Sequence, residues 1–575
     1  MTTGGATSTR EVTSTDGVRL AVYETGDPEA PTVVAVHGYP DNHHVWDGVV
    51  AILFERYRVV TYDVRGAGAS DKPRDRKAYR MGQLVDDLGA VLDAVSPDGP
   101  VHLLAHDWGS IQSWAAVTDQ RFAPRLASFT SISGPSLDHV GAWMRSGYRH
   151  PRATVRQLLD SYYIALFQLP WLPEAVWRSG MLDKLMNLTG QLGRSAAAVD
   201  APPERSEADK INGLQLYRAN MGPHLGRPRP QTTQLPVQVI APSRDFYVSA
   251  AMQTQAPVPY APNLRTRSIS GGHWVVSDRP DVIARCTAEF IEQPSAPVPE
   301  RSGDFSGQLV VVTGGGRGIG RSTALEFARE GADLIVADIN DAAAKETVGL
   351  VHAIGTDAHA YHLDVSDAQG WDSFAAEVHA RHGVPDVIVN NAGIGMGGAF
   401  LSTSTADWEK IIGVNLWSVI HGSRLFAAQM VQRGQGGRIV NIASAAAYSP
   451  SRVYPAYATT KAAVLMLTEC LRAELGREGI GVTAICPGFV DTDISKTTVH
   501  VGVDETAQQK LREHAVASYG RRNYTPERLA KHAVRAAARN TPVAAISAES
   551  KFFRAVSRFA PPLGRQIAKV DLNKL

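Results

Sequence analysis

Short apolar runs rich in valine and isoleucine punctuate the chain. They are "TVVAVHG", "YRVVTYD", "VHLLAHD" and "VQVIAP" in the first half, then "QLVVVTGG", "ADLIVADI", "PDVIVNNAG", "RIVNIAS" and "GVTAICPG" in the second. Between them lie stretches whose apolar residues recur at helical spacing. Such alternation is the pattern of parallel sheets covered by helices on both faces, so the fold class is α/β. It lapses between about 137 and 232, where Trp, Tyr, Arg and Pro are frequent and helical spacing dominates; that segment reads as a helical cap inserted into the first domain. Between 291 and 307 "IEQPSAPVPERSGDFSG" resists helix and strand alike. The expected divisions are a domain at 1–295, a Pro-rich linker at 296–304, a second domain at 305–540 and a tail at 541–575.

A length of 575 residues exceeds what one core sustains, in keeping with two domains. Composition acts mainly by exclusion. A formal charge of +1 offers no general attraction for nucleic acid. Three scattered cysteines, Cys286, Cys470 and Cys486, make neither a disulfide framework nor a zinc cluster. The vicinal pair His43-His44 lacks a third ligand nearby and reads as a helix start, so no metal is expected. "MTTGGATSTREVTSTDG" lacks the apolar core of a signal peptide, and no apolar run reaches the roughly 18 residues of a membrane span. A cytoplasmic protein is the expectation.

The chemistry starts at "LLAHDWGS", 103 to 110, where a strand turns sharply into a helix. Enzymes built on this elbow usually place a serine at its tip; here it is Asp107. A carboxylate is already ionised at neutral pH and needs no base before it attacks. On a carbonyl it would give an anhydride-like product, whereas on a saturated carbon it gives an ordinary ester. Asp107 therefore points to substitution at carbon. Clearing the ester requires water and a base held by an acid. Asp245, ending the strand of "VIAPSRD", and His273 in "GGHW" follow in the order the fold demands. Upstream, "HGYP" follows another strand, and the backbone N–H groups of Tyr39 and Trp108 are the candidate oxyanion donors.

On these motifs the first domain resembles the α/β-hydrolase superfamily, and within it the epoxide hydrolases, whose elbow typically reads Gly-His-Asp-Trp-Gly-Gly. Ala105 and Ser110 replace two of those glycines. The resemblance implies two cap tyrosines that protonate the opening epoxide, aligned to Tyr163 in "SYYIALFQLP", with Tyr162 its competitor, and Tyr217 in "LQLYRANM". Haloalkane dehalogenases share the Asp elbow but bind halide with a tryptophan and an asparagine or second tryptophan; Tyr39 stands where several carry that asparagine. A dehalogenase, or a lipid-binding hydrolase domain without catalysis, are the alternatives.

In the second domain "VVVTGGGRGIG" leaves a strand and opens a helix, so Gly314, Gly318 and Gly320 fit a turn whose amides meet a pyrophosphate. Asp338, ending the next strand, suits ribose hydroxyls and favours NAD; Arg317 pulls toward NADP. Tyr457 and Lys461 in "YATTK" lie one helical turn apart, so the ammonium is expected to stabilise a phenolate base, while Ser444 holds the substrate oxygen. These residues resemble the short-chain dehydrogenase/reductase family, with its Rossmann-type doubly wound sheet, over roughly 305 to 540. That resemblance assigns Asn415 to a proton relay, Asp364 and Val365 to the adenine, Pro487 and Gly488 to the nicotinamide side, and Ile319, Asn391, Ala392 and Gly393 to the cofactor cleft. It also implies self-association through the helices carrying Asn415 and Tyr457.

The whole arrangement resembles actinobacterial fusions of the epoxide hydrolase D type, for which lipid-like epoxides are the implied substrates. The tail "KFFRAVSRFAPPLGRQIAKVDLNKL" carries six basic residues and one acidic. Phe552, Val556 and Phe559 share a helical face there, which suits contact with an anionic membrane, or docking within an oligomer.

Overall fold

In a computed structural model, which describes residues 7–199, 205–294, 303–492, 494–522 and 524–569, each apolar run forms a strand whose successive side chains enter opposite cores. Within Met1–Pro297, the first of two compact units, Val34 and Leu103 join one cluster, while their neighbours Val33 and Leu104 join the other. A strand covered on both sides has no polar face, which is why these runs are continuously apolar. Each fully buried Val or Leu stabilises by about 1.5–3 kcal/mol.

The strands of this unit are β1 (Ser8–Thr13), β2 (Arg19–Thr25), β3 (Thr32–Val36), β4 (Arg58–Tyr62), β5 (Val101–His106), β6 (Leu126–Ile132), β7 (Val237–Pro242) and β8 (Leu264–Ile269), in the order β1-β2-β4-β3-β5-β6-β7-β8. β2 pairs antiparallel with β1 and β4; the remaining pairings are parallel. Between β6 and β7 the described residues form helices and no strand. Among these helices are Pro151–Asp160, Tyr162–Phe167, Met181–Gly193 and Leu214–Gly226. The insertion follows the strand beside the elbow, so it lies over the carboxyl ends of the parallel strands.

The second unit, Val298–Leu575, carries β9 (Leu309–Thr313), β10 (Asp333–Asp338), β11 (Ala358–His362), β12 (Val387–Asn390), β14 (Gly437–Ile442), β15 (Ile480–Cys486) and β17 (Val543–Ala545), with a two-residue ladder of β13 (Met396–Gly397) and β16 (Val499–His500) beside them. The order β11-β10-β9-β12-β14-β15-β17 is parallel throughout. The chain winds outward from β9 in one direction and from β12 in the other, which opens a crevice at their carboxyl ends. Two α/β sheets, the first mostly and the second wholly parallel, are the class expected from the patterning.

The seventh strand belongs to the segment read as a tail. β17 pairs with β15 from Val543 to Ala545, and three residues are too few to show a strand period. The helix Ala548–Phe559 follows; Ser550 donates to the carbonyl of Cys486 over 2.7 Å. The apolar face expected there is divided: Val556 is buried, whereas Phe552 and Phe559 are exposed. Residues 296–302 of the linker and 570–575 of the tail lie outside the described residues. Among the described residues no helix is long and apolar enough to cross a membrane, and no group of three potential metal ligands occurs. His43 opens a short turn and pairs with Asp63, and His44 pairs with Asp47.

Candidate active sites

Asp107 stands between β5 and the helix Trp108–Val117 at φ 49° and ψ −123°, a conformation a side-chain-bearing residue rarely adopts. Backbone bonds hold it there. Its N–H donates to Ile132 over 2.9 Å, and its carbonyl accepts from Ile111 over 2.9 Å. The corner is crowded: a Cβ on Gly38 would stand 2.5 Å from the Asp107 carboxylate. Ser110, replacing a glycine, is buried and donates to the carbonyl of Gly134 over 2.6 Å, so the hydroxyl braces the turn.

Around this carboxylate the expected partners converge. His273 Nε2 lies 3.4 Å from Asp107 Oδ2, and its Nδ1 donates to Asp245 Oδ2 over 3.0 Å. Asp245 is fixed in turn by the N–H groups of Tyr247 and Val248 at 2.9 and 3.0 Å. Burial alone would lower the imidazole, but Asp245 and Asp107 outweigh it and hold His273 up at about 10. Burial would raise Asp245, and the imidazolium holds it below its ordinary value. The Tyr39 N–H donates to Asp107 Oδ1 over 2.7 Å. Trp108 occupies the first position of its helix, where the N–H has no intrahelical partner.

A roof of aromatic side chains covers the site. Tyr217 sits in T-shaped contact with Trp108, Tyr39, Phe167 and Tyr163 at 4.9 to 6.0 Å between ring centroids. Tyr162 is 55% exposed, whereas Tyr163 packs against Tyr217 and Tyr247. Burial, together with the charge of Asp107, keeps the phenols of Tyr163 and Tyr217 well above their ordinary value, so both carry their protons at neutral pH. The phenol of Tyr39 is committed elsewhere, donating to the Lys210 carbonyl and accepting from Trp177, each over 2.8 Å.

Several contributors escaped sequence reasoning. Tyr247 lies over His273 at 5.0 Å between rings, and its hydroxyl bonds Thr189 over 2.9 Å. His37 Nδ1 donates to the Gly38 carbonyl over 2.9 Å while its Nε2 accepts from Val64, which fixes the peptide that points the Tyr39 N–H at Asp107. His106 donates from Nε2 to the His273 carbonyl over 2.8 Å. "HG" before the turn and "HD" at the elbow carry these histidines, but nothing in a single sequence separates such braces from packing.

In the second unit, Gly314 and Gly318 adopt φ of 60° and 51°. A Cβ on Gly320 would lie 2.0 Å from the Gly314 carbonyl, so only glycine lets the helix Gly318–Arg329 start this close to the loop. Ile319 packs against the sheet core, and Arg317 is exposed. Asp338 Oδ2 accepts from the Gly316 N–H over 2.8 Å and Oδ1 from that of Asn340 over 2.9 Å, which seats the carboxylate beside the glycine turn. Asn391 donates to the carbonyls of Thr313 and Gly314, and Ala392 N–H to the Thr313 hydroxyl over 3.2 Å. Asp364 is exposed and bonded to Ser366, while Val365 turns into the core with its carbonyl on Trp371. A cradle of glycines with a carboxylate at its edge fits a dinucleotide.

Asn415, in a π-turn over Gly413–Trp417, exchanges bonds with both backbone groups of Ile394, at 2.8 and 3.0 Å. Gly393 approaches both Asn415 and Lys461. Ser444 accepts from the Ala446 N–H, and the Pro487 carbonyl next to Gly488 accepts from Ala445 over 2.6 Å. Lys461 Nζ donates to the Ile442 carbonyl over 2.9 Å and stands 5.9 Å from the Tyr457 ring centre. Burial pushes Tyr457 up, opposed by the Ser444 hydroxyl, and burial also pulls Lys461 down to about 8. One of the three ammonium N–H groups is held by a backbone carbonyl.

Both halves match known families. The alpha/beta hydrolase fold family matches residues 31–280, and the short chain dehydrogenase family residues 308–501. A Mycobacterium tuberculosis protein, "Probable oxidoreductase EphD", is 40% identical over 588 aligned residues, which cover 98% of each chain. The diol dehydrogenase LinX of Sphingobium indicum, named for 2,5-dichloro-2,5-cyclohexadiene-1,4-diol, is 33% identical over 36% of this chain and 80% of its own. A solved short chain dehydrogenase/reductase from Burkholderia phymatum in complex with NAD is 28% identical, covering 47% of this chain and 98% of that one, with a TM-score of 0.42.

Proposed function

The chain belongs to the EphD-type family, an α/β-hydrolase fused to a short-chain dehydrogenase/reductase, and on that premise we propose two linked activities. The first unit hydrolyses an apolar, lipid-type epoxide to a vicinal diol. The second oxidises one carbinol of such a diol with NAD, yielding an α-hydroxy ketone.

One observation carries the first reading: an elbow carboxylate, an imidazole and a second carboxylate in line, at 3.4 and 3.0 Å, beneath protonated phenols. Asp107 Oδ2 forms a bond to one epoxide carbon as that carbon's bond to oxygen breaks. Tyr163 and Tyr217 give the departing alkoxide its proton. The ester removes the charge of Asp107, one of two supports of the His273 imidazolium, which favours passing the imidazolium proton to the phenolate left by the tyrosine donor, so that the phenol is restored and the imidazole becomes a base at the step that needs one. It then takes a proton from water attacking the ester carbonyl, and the oxyanion formed on Oδ1 meets the Tyr39 and Trp108 amides. Mass spectrometry after brief exposure to a panel of epoxides tests this reading. An adduct on Asp107 that vanishes in Asp107→Asn supports it; diol formation by Asp107→Asn overturns it.

In the second unit the glycine turn and Asp338 receive the dinucleotide, and the carboxylate disfavours a 2′-phosphate, hence NAD rather than NADP. NAD supplies a hydride acceptor. Tyr457 takes the hydroxyl proton, Ser444 holds the substrate oxygen, and Asn415 and Lys461 line the path beyond. LinX is named for a ring 1,4-diol, which supports oxidation of a diol carbinol by a dehydrogenase of this type without bearing on whether the two hydroxyls are adjacent. Nicotinamide reduction that follows epoxide addition only when Asp107 is intact supports the relay; reduction unaffected by Asp107→Asn sinks it. Self-association is assigned to the dehydrogenase unit, where Trp417 and Met466 are exposed on the helices that follow Asn415 and Tyr457; sedimentation velocity checks it.

A dehalogenase remains the second reading because the indole N–H of Trp108, 2% exposed, has beside it only the Tyr217 phenol, with no hydrogen bond of good geometry, and would suit a halide. The second donor such a site needs is missing from Tyr39, whose phenol is already committed. Halide release from haloalkanes with epoxides left intact would favour it.

A further inference from the structure

The helix Met181–Gly193 is apolar on two faces. Leu182 and Met186 enter the aromatic cluster around Tyr39 and Tyr217, as an amphipathic cap helix should. Met181, Leu185, Leu188 and Leu192, spaced along the adjoining face about 100° away, are nonetheless exposed, Leu188 at 54%. The helix Pro151–Asp160 repeats the pattern: Gln157 alone is buried, while Val155, Leu158 and Leu159 face outward, Leu159 at 70%. Clustered aliphatic side chains left facing outward mark a surface that meets a partner or lipid. Tyr148 and Trp171, two large amphipathic rings of the kind found at headgroup level, are also exposed in the cap, at 77% and 73%.

Charge selects the partner. Arg152 and Lys184 stand exposed on these same two faces with no ion pair, whereas Asp160 is held by Arg156 and Asp183 by Lys210. The exposed side chains are chiefly aliphatic with cations between them, the composition of a surface that lies on acidic headgroups. Protein interfaces concentrate aromatic anchors in packed pockets instead.

The same helices form the wall of the candidate site. On their inner sides Gln157 donates to the Tyr247 carbonyl and Thr189 bonds the Tyr247 hydroxyl, each over 2.9 Å, and Tyr247 covers His273. We propose that the outer face of the cap docks on an anionic lipid surface, so that the first unit draws its substrate directly from that surface. The docking stands on the exposed faces alone; only the nature of the cargo rests on the epoxide reading above.

Flotation of the full chain with vesicles tests it, comparing phosphatidylglycerol with phosphatidylcholine. Wild type is expected to float with the anionic vesicles at least about tenfold better. The double variant Leu159→Glu/Leu188→Glu should lose about tenfold of that binding, and Arg152→Glu/Lys184→Glu should lose the preference for anionic lipid. Turnover of a small water-soluble epoxide and nicotinamide reduction should be unchanged in both, which excludes misfolding. Absence of wild-type flotation, or flotation undiminished by either variant, overturns the proposal. So does a wild-type dimer that Leu159→Glu/Leu188→Glu converts to monomer, since a second copy would then cover this face. Flotation as expected from a protein that turns over no epoxide leaves the docking standing and removes the catalytic reading.

Discussion

The backbone of Tyr39 holds Oδ1 of Asp107 at 2.7 Å, which leaves Oδ2, on the His273 side, as the oxygen free to attack. The two oxygens therefore have different fates. If Oδ2 bonds to the substrate and water attacks the ester carbonyl, the first diol released carries Oδ2, and the oxygen of water remains in the side chain. A single turnover in ¹⁸O-water should label Asp107 and leave the diol unlabelled. Label in the first diol would mean that water attacks the epoxide directly.

His273→Gln should form the ester and fail to clear it. The expected outcome is a burst of about one equivalent of adduct per chain, with steady turnover reduced by about 10²-fold or more, the scale of a lost general base. Intact-mass measurement would read the accumulated species.

The imidazole also predicts how stability depends on pH. Its folded value of about 10 lies above the ordinary 6.5, so between these limits the folded state binds the extra proton. The stabilisation is complete below pH 6.5 and is lost as pH rises through 10. The Tm difference between wild type and His273→Gln should therefore shrink steadily from pH 6.5 to 10; a difference that grows would contradict the assignment.

Asp338 joins cofactor choice to loop structure because one carboxylate bonds Gly316 and Asn340. Asp338→Ala should cut kcat/KM for NAD by about tenfold or more, the measure of about 1.4 kcal/mol. NADP should suffer less, since the exposed Arg317 then meets the 2′-phosphate unopposed. Initial rates with both nucleotides give the ratio.

Lys461→Met isolates the bond to Ile442. It removes the ammonium and leaves a buried carbonyl unsatisfied, a loss of about 1–3 kcal/mol, so Tm should fall. Tyr457→Phe should leave Tm nearly unchanged while abolishing alcohol oxidation. Because burial raises the phenol, wild-type oxidation should accelerate as pH rises above neutrality.

The sheets were legible because burial on both faces forces every position of a strand such as Val310–Val312 to be apolar. The elbow was legible because Asp107 is an anomaly at a position where serine is usual. Tyr247 was not: its N–H on Asp245 and its hydroxyl on Thr189 of the cap set its ring against His273, and neither contact shows in the sequence. The partner of Lys461 was equally hidden, since helical spacing puts Tyr457 one turn away but does not reveal the Ile442 carbonyl within reach. β17 was lost to its brevity.

That last strand has a consequence for biogenesis. The outer edge of β15, buried in the finished sheet, has its ladder partner only in Val543–Ala545, so a nascent chain exposes a row of unsatisfied amides until synthesis passes residue 545. Unpaired edges recruit other strands. Messages interrupted before that point should yield sticky, chaperone-dependent fragments rather than a smaller working dehydrogenase.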